Sequence, residues 1–259
     1  MFTACFDAGG SQHDQRFLIM AGFISSADAW TKFDAVWRDR LSQDGISYFH
    51  MVEFAHSSKE FRNGWRDNKS RREKLLSELL DIIRAHAFRV FGCAIENKVL
   101  LAHLPQKNRE EFFLDSYSLA GRDCASQVTQ WCLSEHISTP VEFVFEDGDL
   151  GKGNLMKRLK EDGYSTPSFR FKKDRDTPIG KAPSFTPLQA ADFLAYEIFV
   201  GCKNMEQKGY RPRWALEEFL RMPGYVGLYE RENLEALDKN LTFYKSLSDN
   251  WRLLIEQTS

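Results

Sequence analysis

Three carboxylates in this chain of 259 residues stand at positions that an acid seldom occupies without a partner. Asp7 ends the apolar run FTACF and is followed by Ala8 and two glycines. Glu146 ends a second run, VEFVFE at 141–146, where it shares an alternating face with Val144 and Glu142; Asp147 and Asp149 follow in the turn EDGD. Asp192 falls at helical spacing among Leu188, Ala191, Ala195 and Phe199, within an apolar face. A charged carboxylate in such a face is costly unless it is paired or holds a metal. Each acid alone has a plainer structural account. Asp before Gly-Gly favours a turn, EDGD is a polar turn with Gly148 free to take positive φ, and Asp192 suits an ion pair with an arginine. Together they suggest more. Two sit at strand ends and one on a late helix that could cross the sheet, and ligand sites form at strand ends of one edge. Three converging carboxylates repel one another unless a divalent cation joins them, and oxygen ligands select Mg²⁺ or Mn²⁺. The expected metal ligands are Asp7, Glu146 and Asp192, with Asp147 and Asp149 in reserve.

Such a site suits phosphodiester hydrolysis, in which metal ions activate water and stabilise the leaving oxygen. Two further residues are candidates for catalysis. Lys181 precedes the Asp192 helix and could meet a phosphate, or be a solvated loop lysine. His50, in the aromatic stretch YFHMVEF, could carry a proton near neutral pH, or be an ordinary core or surface histidine. Residues 59–74 hold seven Lys/Arg against three acids with aromatics between them, and RFKKDR at 170–175 is also basic. Basic groups interleaved with rings suit a flexible nucleic acid, which nominates Arg62, Trp65, Arg66, Lys172 and Lys173 as its contacts. A solvated loop and helix start is the alternative for both patches.

The elements that must position these residues follow from periodicity. Apolar runs predict strands at 2–7, 16–25, 88–96, 141–146 and 168–174. Helical spacing predicts a helix after Ser26 or Asp28 ending near Gly45, a second from Ser70, and a long or broken helix through 108–136. A short helix over 152–163 and another from Thr186 follow, the last with Pro187 at its first turn and Gln189 completing a capping box. Residues 46–69 read as irregular. The order of strands and helices predicts an α/β domain with a mixed sheet over 1–203 and a helical C-terminal extension over 204–259 packed on it. The net charge of −2 creates no global attraction to polyanions or membranes. Five scattered cysteines without a C-x-x-C, no leader-like start and no apolar run near about 18 residues give the expectation of a cytoplasmic protein without a membrane span.

Four stretches, FDAGGS at 6–11 with FLIMAGFIS after it, FHMVEF at 49–54, VEFVFEDGD at 141–149 and KAPSFTPLQAADFLAYEI at 181–198, resemble the family called domain of unknown function 3800, within the ribonuclease H-like superfold. The Leu-Gln-x-Ala-Asp of the last stretch is the most specific, and the matches span about 1–200. The resemblance implies a ribonuclease H-like mixed sheet flanked by helices and an activity like that of Mg²⁺-dependent nucleases. The family's usual opening is Asp-Glu-Ser-Gly; here Ala8 stands for the Glu and Gly9 for the Ser, which removes one potential ligand and leaves one or two metals open. Two other readings stand beside the nuclease. One is a non-catalytic nucleic-acid or partner-binding module on the same fold, favoured by Ala8. The other is an actin-like ATP-binding kinase, whose two phosphate loops DAGGS and FEDGDLGKG resemble; the chain is short for that class and has no late glycine-rich adenosine loop.

Overall fold

The computed structural model describes residues 1–10, 16–174 and 184–257, apart from the side chains of Tyr244 and residues 246–257. Its centre is a six-stranded sheet of β1 (Phe2–Gly9), β2 (Phe17–Ser26), β3 (Arg89–Glu96), β4 (Val141–Glu146), β5 (Ser168–Arg170) and β6 (Gly224–Tyr229), in the order β5-β4-β1-β2-β3-β6. β2 runs antiparallel to both β1 and β3, while β4 is parallel to β1, β5 to β4 and β6 to β3. Five strands therefore point one way and β2 the other, which makes the sheet mixed.

Both faces are covered, which is why the central strands read as unbroken apolar runs. Cys5, Ile19, Ala21, Phe23 and Val144 pack under α1 (Ala27–Gln43), α3 (Lys69–His86), α8 (Pro187–Asn204) and α9 (Trp214–Leu220). Ala4, Phe6, Met20, Phe143 and Phe145 pack under α4 (Asn97–His103), α6 (Ser116–Ser134), α7 (Lys152–Glu161) and α10 (Arg231–Gln257). The short helices α2 (Met51–Ala55) and α5 (Gln106–Glu111) complete the set. α8 lies directly across β1 and β2. A Cβ on Gly9 would stand 2.8 Å from the carbonyl oxygen of Ala195, so only glycine lets the helix sit this close. Asp192 lies one turn before Ala195, and that seating carries it towards Asp7.

Most predicted elements match within a residue or two, and the differences have local causes. The α3 cap is Asn68, whose Oδ1 accepts from Arg71 N at 3.0 Å, rather than Ser70. Asp115 forms a capping box with Ser118 and splits the long helical stretch into α5 and α6. β5 stops at Arg170, short of the expected 174. Thr186 takes helical angles and makes no capping bond. Its hydroxyl accepts from Arg38 at 3.0 Å and donates to Asp34 instead, and Gln189 is engaged elsewhere. The segment from 204 is not wholly helical. It supplies β6 to the sheet edge, and Ala215, Leu216 and Phe219 of α9 enter the same core as residues before 204. GYVGLY, with two glycines and only partial burial, carries little strand signal. Among the described residues no helix is long and apolar enough to cross a membrane.

Candidate active site

Parallel pairing brings the ends of three strands together. Phe6 pairs with Phe145, so Asp7 and Glu146 follow side by side where β1 and β4 end. Glu146 pairs with Arg170 on β5, and alternation carries the next residue on that face to Lys172. Asp192 reaches the same point from α8. The Lys172 ammonium lies 2.7 Å from Asp7 Oδ2, 2.7 Å from Glu146 Oε2 and 2.9 Å from Asp192 Oδ1. The three acids first expected as ligands thus meet around one atom, and that atom is a lysine nitrogen. Lys172, read from sequence as a surface contact for nucleic acid, is 7% exposed. Its charge is used inside the fold, which corrects that expectation.

A polar shell holds the cluster. Asp7 Oδ1 accepts from Ala8 N at 2.8 Å, and Asp192 Oδ2 accepts from Met51 N at 2.6 Å. His50 stands beside Asp192, with Nε2 3.6 Å from Asp192 Oδ1 and Nδ1 2.9 Å from Glu53 Oε1. Glu53 is buried and also takes Lys59 at 2.8 Å, Lys173 at 2.9 Å and the Tyr48 hydroxyl. Gln189, one turn before Asp192, does the work of a strap. Its Oε1 accepts from Trp37 Nε1 at 2.9 Å and Phe49 N at 2.7 Å, and its Nε2 donates to the Lys172 carbonyl at 2.8 Å. One side chain thereby fixes the His50 segment and the Lys172 backbone to α8.

The charges do not balance within the cluster, since three carboxylates face one ammonium. Burial, then the charge of Glu146, pushes the Asp7 carboxyl well up against partial relief from Lys172, and a hydrogen bond with Glu146 adds to the rise. Burial also works against ionisation of Asp192, but Lys172, His50 and the Met51 N–H outweigh it and hold that carboxyl below its usual range. Lys172 loses by desolvation and gains more from Asp192, Asp7 and Glu146, so it stays protonated. Burial opposes ionisation of Glu53 too, yet Lys59, Tyr48, Lys173 and His50 keep it low.

The remaining expected residues divide. Asp147 turns to Lys152, 2.7 Å away, and is engaged there rather than at the cluster. Asp149 lines a neighbouring cavity of about 350 Å³ with Gly9, Tyr117 and Asn97, and its Oδ2 is buried without a hydrogen-bond partner among the described residues. Burial and the nearby Asp7 raise Asp149 to about 6. Lys181 lies outside the described residues. Arg62 and Arg66 are exposed, as a nucleic-acid contact requires. Trp65 is 2% exposed, packed edge-on to Phe54 and Phe61 with the Arg71 guanidinium 3.9 Å from its ring, so no base can stack on it. Lys173 is buried against Glu53 and is likewise withdrawn from any surface ligand. Three residues went unnoticed as part of the site: Lys172 in its central role, Glu53 and Gln189. The period-two pattern Ser168, Arg170, Lys172 and the i, i+3 spacing of His50 and Glu53 carried the available signal.

The donor set fits a hard divalent ion in kind. To bind one ion at about 2.1 Å, each oxygen would close in by about 0.6–0.8 Å from its present distance to the Lys172 nitrogen, and the ammonium would have to withdraw. Among the described residues no group of three or more His, Cys, Asp and Glu stands in ligand geometry as it is. Carboxylates gathered on an ammonium and carboxylates ready for a metal differ by that one side chain. Comparison with protein-family models and with curated proteins finds no match to this chain.

Proposed function

We propose that the chain is a Mg²⁺- or Mn²⁺-dependent phosphodiesterase acting on nucleic acid, a nuclease of the ribonuclease H-like kind. The convergence of Asp7, Glu146 and Asp192 within 2.9 Å of one point, at the ends of adjacent parallel strands, carries the reading. The mixed sheet with helices on both faces and the Leu-Gln-x-Ala-Asp of α8 support it. When bound, the divalent ion supplies a polarised water and neutralises charge on the phosphate. The chain's own groups do the rest. Asp7, Glu146 and Asp192 would hold the ion in place of the Lys172 ammonium. Gln189 fixes the Lys172 backbone, so only the lysine side chain would have to give way. His50, oriented through Nδ1 by Glu53, holds or moves a proton at Nε2 beside Asp192.

The test is incubation of labelled single- and double-stranded DNA and RNA with wild type, Asp7→Asn and His50→Gln in Mg²⁺ or Mn²⁺. Cleavage by wild type, loss to background in Asp7→Asn and a fall of about 10²–10⁴ in His50→Gln are expected. Cleavage indifferent to Asp7→Asn sinks the proposal. One observation favours a second reading, a non-catalytic module: Lys172 already contacts all three carboxylates, as in a structural ion-pair cluster. That reading expects nucleic-acid binding without hydrolysis, unaltered by divalent ions.

A further inference from the structure

Away from the carboxylates, the start of α3, the end of α2 and the entry to α9 enclose a second cavity of about 350 Å³. Four cations, Arg66, Lys69, Arg72 and Arg213, line it against two acids, Asp67 and Glu73. Glu73 is 3.6 Å from Lys69, and Arg213 Nη2 lies 3.3 Å from the buried Glu197, which leaves Arg66 and Arg72 without a carboxylate among the described residues. Arg72 is half-buried, lies 4.1 Å over the Phe54 ring and donates to Ser57 Oγ at 3.0 Å, with no carboxylate partner among the described residues. Arg72 and Arg213 line the same cavity, and burial, then the positive charge of Arg213, lowers the affinity of Arg72 for a proton. Arg66 is exposed and has neither an ion pair nor a hydrogen bond among the described residues. At the rim stands Trp214, 41% exposed. Like charges brought together around a cavity with an open ring beside them are unfavourable by themselves and complementary to phosphates joined to bases.

We propose that this cavity binds the phosphate backbone of a single-stranded nucleic acid, with Trp214 stacking on a base. A single strand is specified because its bases are open to the ring, which a duplex hides. The assignment rests on the nuclease reading for the identity of the polyanion, and it gives the substrate a path. The cavity wall at Phe54 and the His50 side of the carboxylate cluster are the two ends of α2, four residues and about 6 Å apart along the helix. At about 3.4 Å per nucleotide of one strand, roughly two nucleotides span that distance. Trp214 takes the stacking role that sequence spacing had suggested for the buried Trp65.

The experiment is fluorescence anisotropy of a labelled oligothymidylate and a labelled oligouridylate, in chelator, across a salt series. Arg66→Gln/Lys69→Gln removes two exposed cations without touching the core. If each meets one phosphate, the slope of log affinity against log salt falls by about 1.4, which at about 0.1 M salt is roughly a 25-fold loss. Trp214→Ala is expected to lose about fivefold or more. Arg231→Gln, a surface arginine of α10, is expected to bind as wild type. Unchanged slope and affinity in Arg66→Gln/Lys69→Gln overturn the proposal, as does failure of wild type to bind either strand. Tighter binding of a duplex than of either single strand also overturns it. Divalent-dependent hydrolysis of a small phosphodiester, bis(p-nitrophenyl) phosphate, by wild type but not Asp7→Asn separates the two claims. Hydrolysis without strand binding removes the docking site and leaves the nuclease reading; strand binding lost in the cation variants, without hydrolysis, does the reverse.

Discussion

Replacing Lys172 by methionine keeps nearly the same volume and removes the only cation in contact with Asp7 and Glu146 among the described residues. Three carboxylates, two of them almost wholly buried, are then left without it. Breaking a buried ion pair on one side costs about 3–5 kcal/mol. In a domain of this size about 1 kcal/mol moves the melting temperature by about 2–4 °C, so the expected fall in chelator is about 6–20 °C. The same change frees the point where the three oxygens meet. If that point is a metal site, Mn²⁺ at a hundred times its Kd restores about 2.7 kcal/mol, or about 5–11 °C, and does so at lower concentration than in wild type, where the ammonium must first be displaced. Acid should also help the variant. Asp7, already pushed up by burial, then takes up its proton more readily in the folded than in the unfolded chain, so stability is present at low pH and lost as pH rises through its folded value. Melting followed by circular dichroism, with chelator or Mn²⁺ and across pH, reads all three effects. A variant that melts with wild type in chelator, or that gains nothing from Mn²⁺ beyond what wild type gains, refutes the reasoning.

Glu197 on α8 is 1% exposed, and burial raises it to about 7 against only partial relief from Arg213. The folded chain keeps a proton that the unfolded chain releases above its ordinary 4.5, so about 3 kcal/mol of stability is lost as pH rises from 4.5 through 7. Glu197→Gln should flatten that slope in urea melts and be the more stable protein above pH 7; parallel slopes would contradict this. Gln189→Ala strands Trp37 Nε1, the Phe49 N–H and the Lys172 carbonyl. At about 1–3 kcal/mol for each buried group left unpaired, it should cost at least about 3 kcal/mol in chemical denaturation. A loss under about 1 kcal/mol would show that water replaces the strap. Glu53→Gln removes the carboxylate 2.9 Å from the buried Lys173 ammonium and loosens His50. Melting should fall and the cleavage rate should drop with it; wild-type melting and rate would remove Glu53 from the site.

Asp7, Glu146 and Asp192 were legible because each violates a local pattern: an acid closing a doubly buried strand, another ending its parallel neighbour, a third inside an apolar helix face. Their meeting depends on register and on the Gly9–Ala195 approach, which are tertiary facts. Lys172 was misread because a lysine next to another lysine looks like a solvated charge. The pairing of β5 with β4 just before it and the Gln189 bond to its carbonyl place it at the acids, and neither is a local pattern. Trp65 was misread for a related reason. Its basic neighbours suggested a surface, but Arg71 lies over the ring while the ring itself packs in an aromatic cluster. Glu53 and Gln189 carry no signal as single residues. Their roles exist only through partners up to 140 or 152 positions away for Gln189 and 120 for Glu53. The strand β6 was hidden by glycines and half-exposure, since its pairing with β3 rather than its own pattern makes it a strand.

The central claim is that Lys172 stands where a divalent ion belongs. Anomalous diffraction from a crystal soaked in Mn²⁺ tests it most directly. The account predicts a peak within about 2.3 Å of oxygens from Asp7, Glu146 and Asp192, with the lysine side chain turned away. An ammonium still in contact with all three acids under saturating Mn²⁺, and no peak among them, would contradict it.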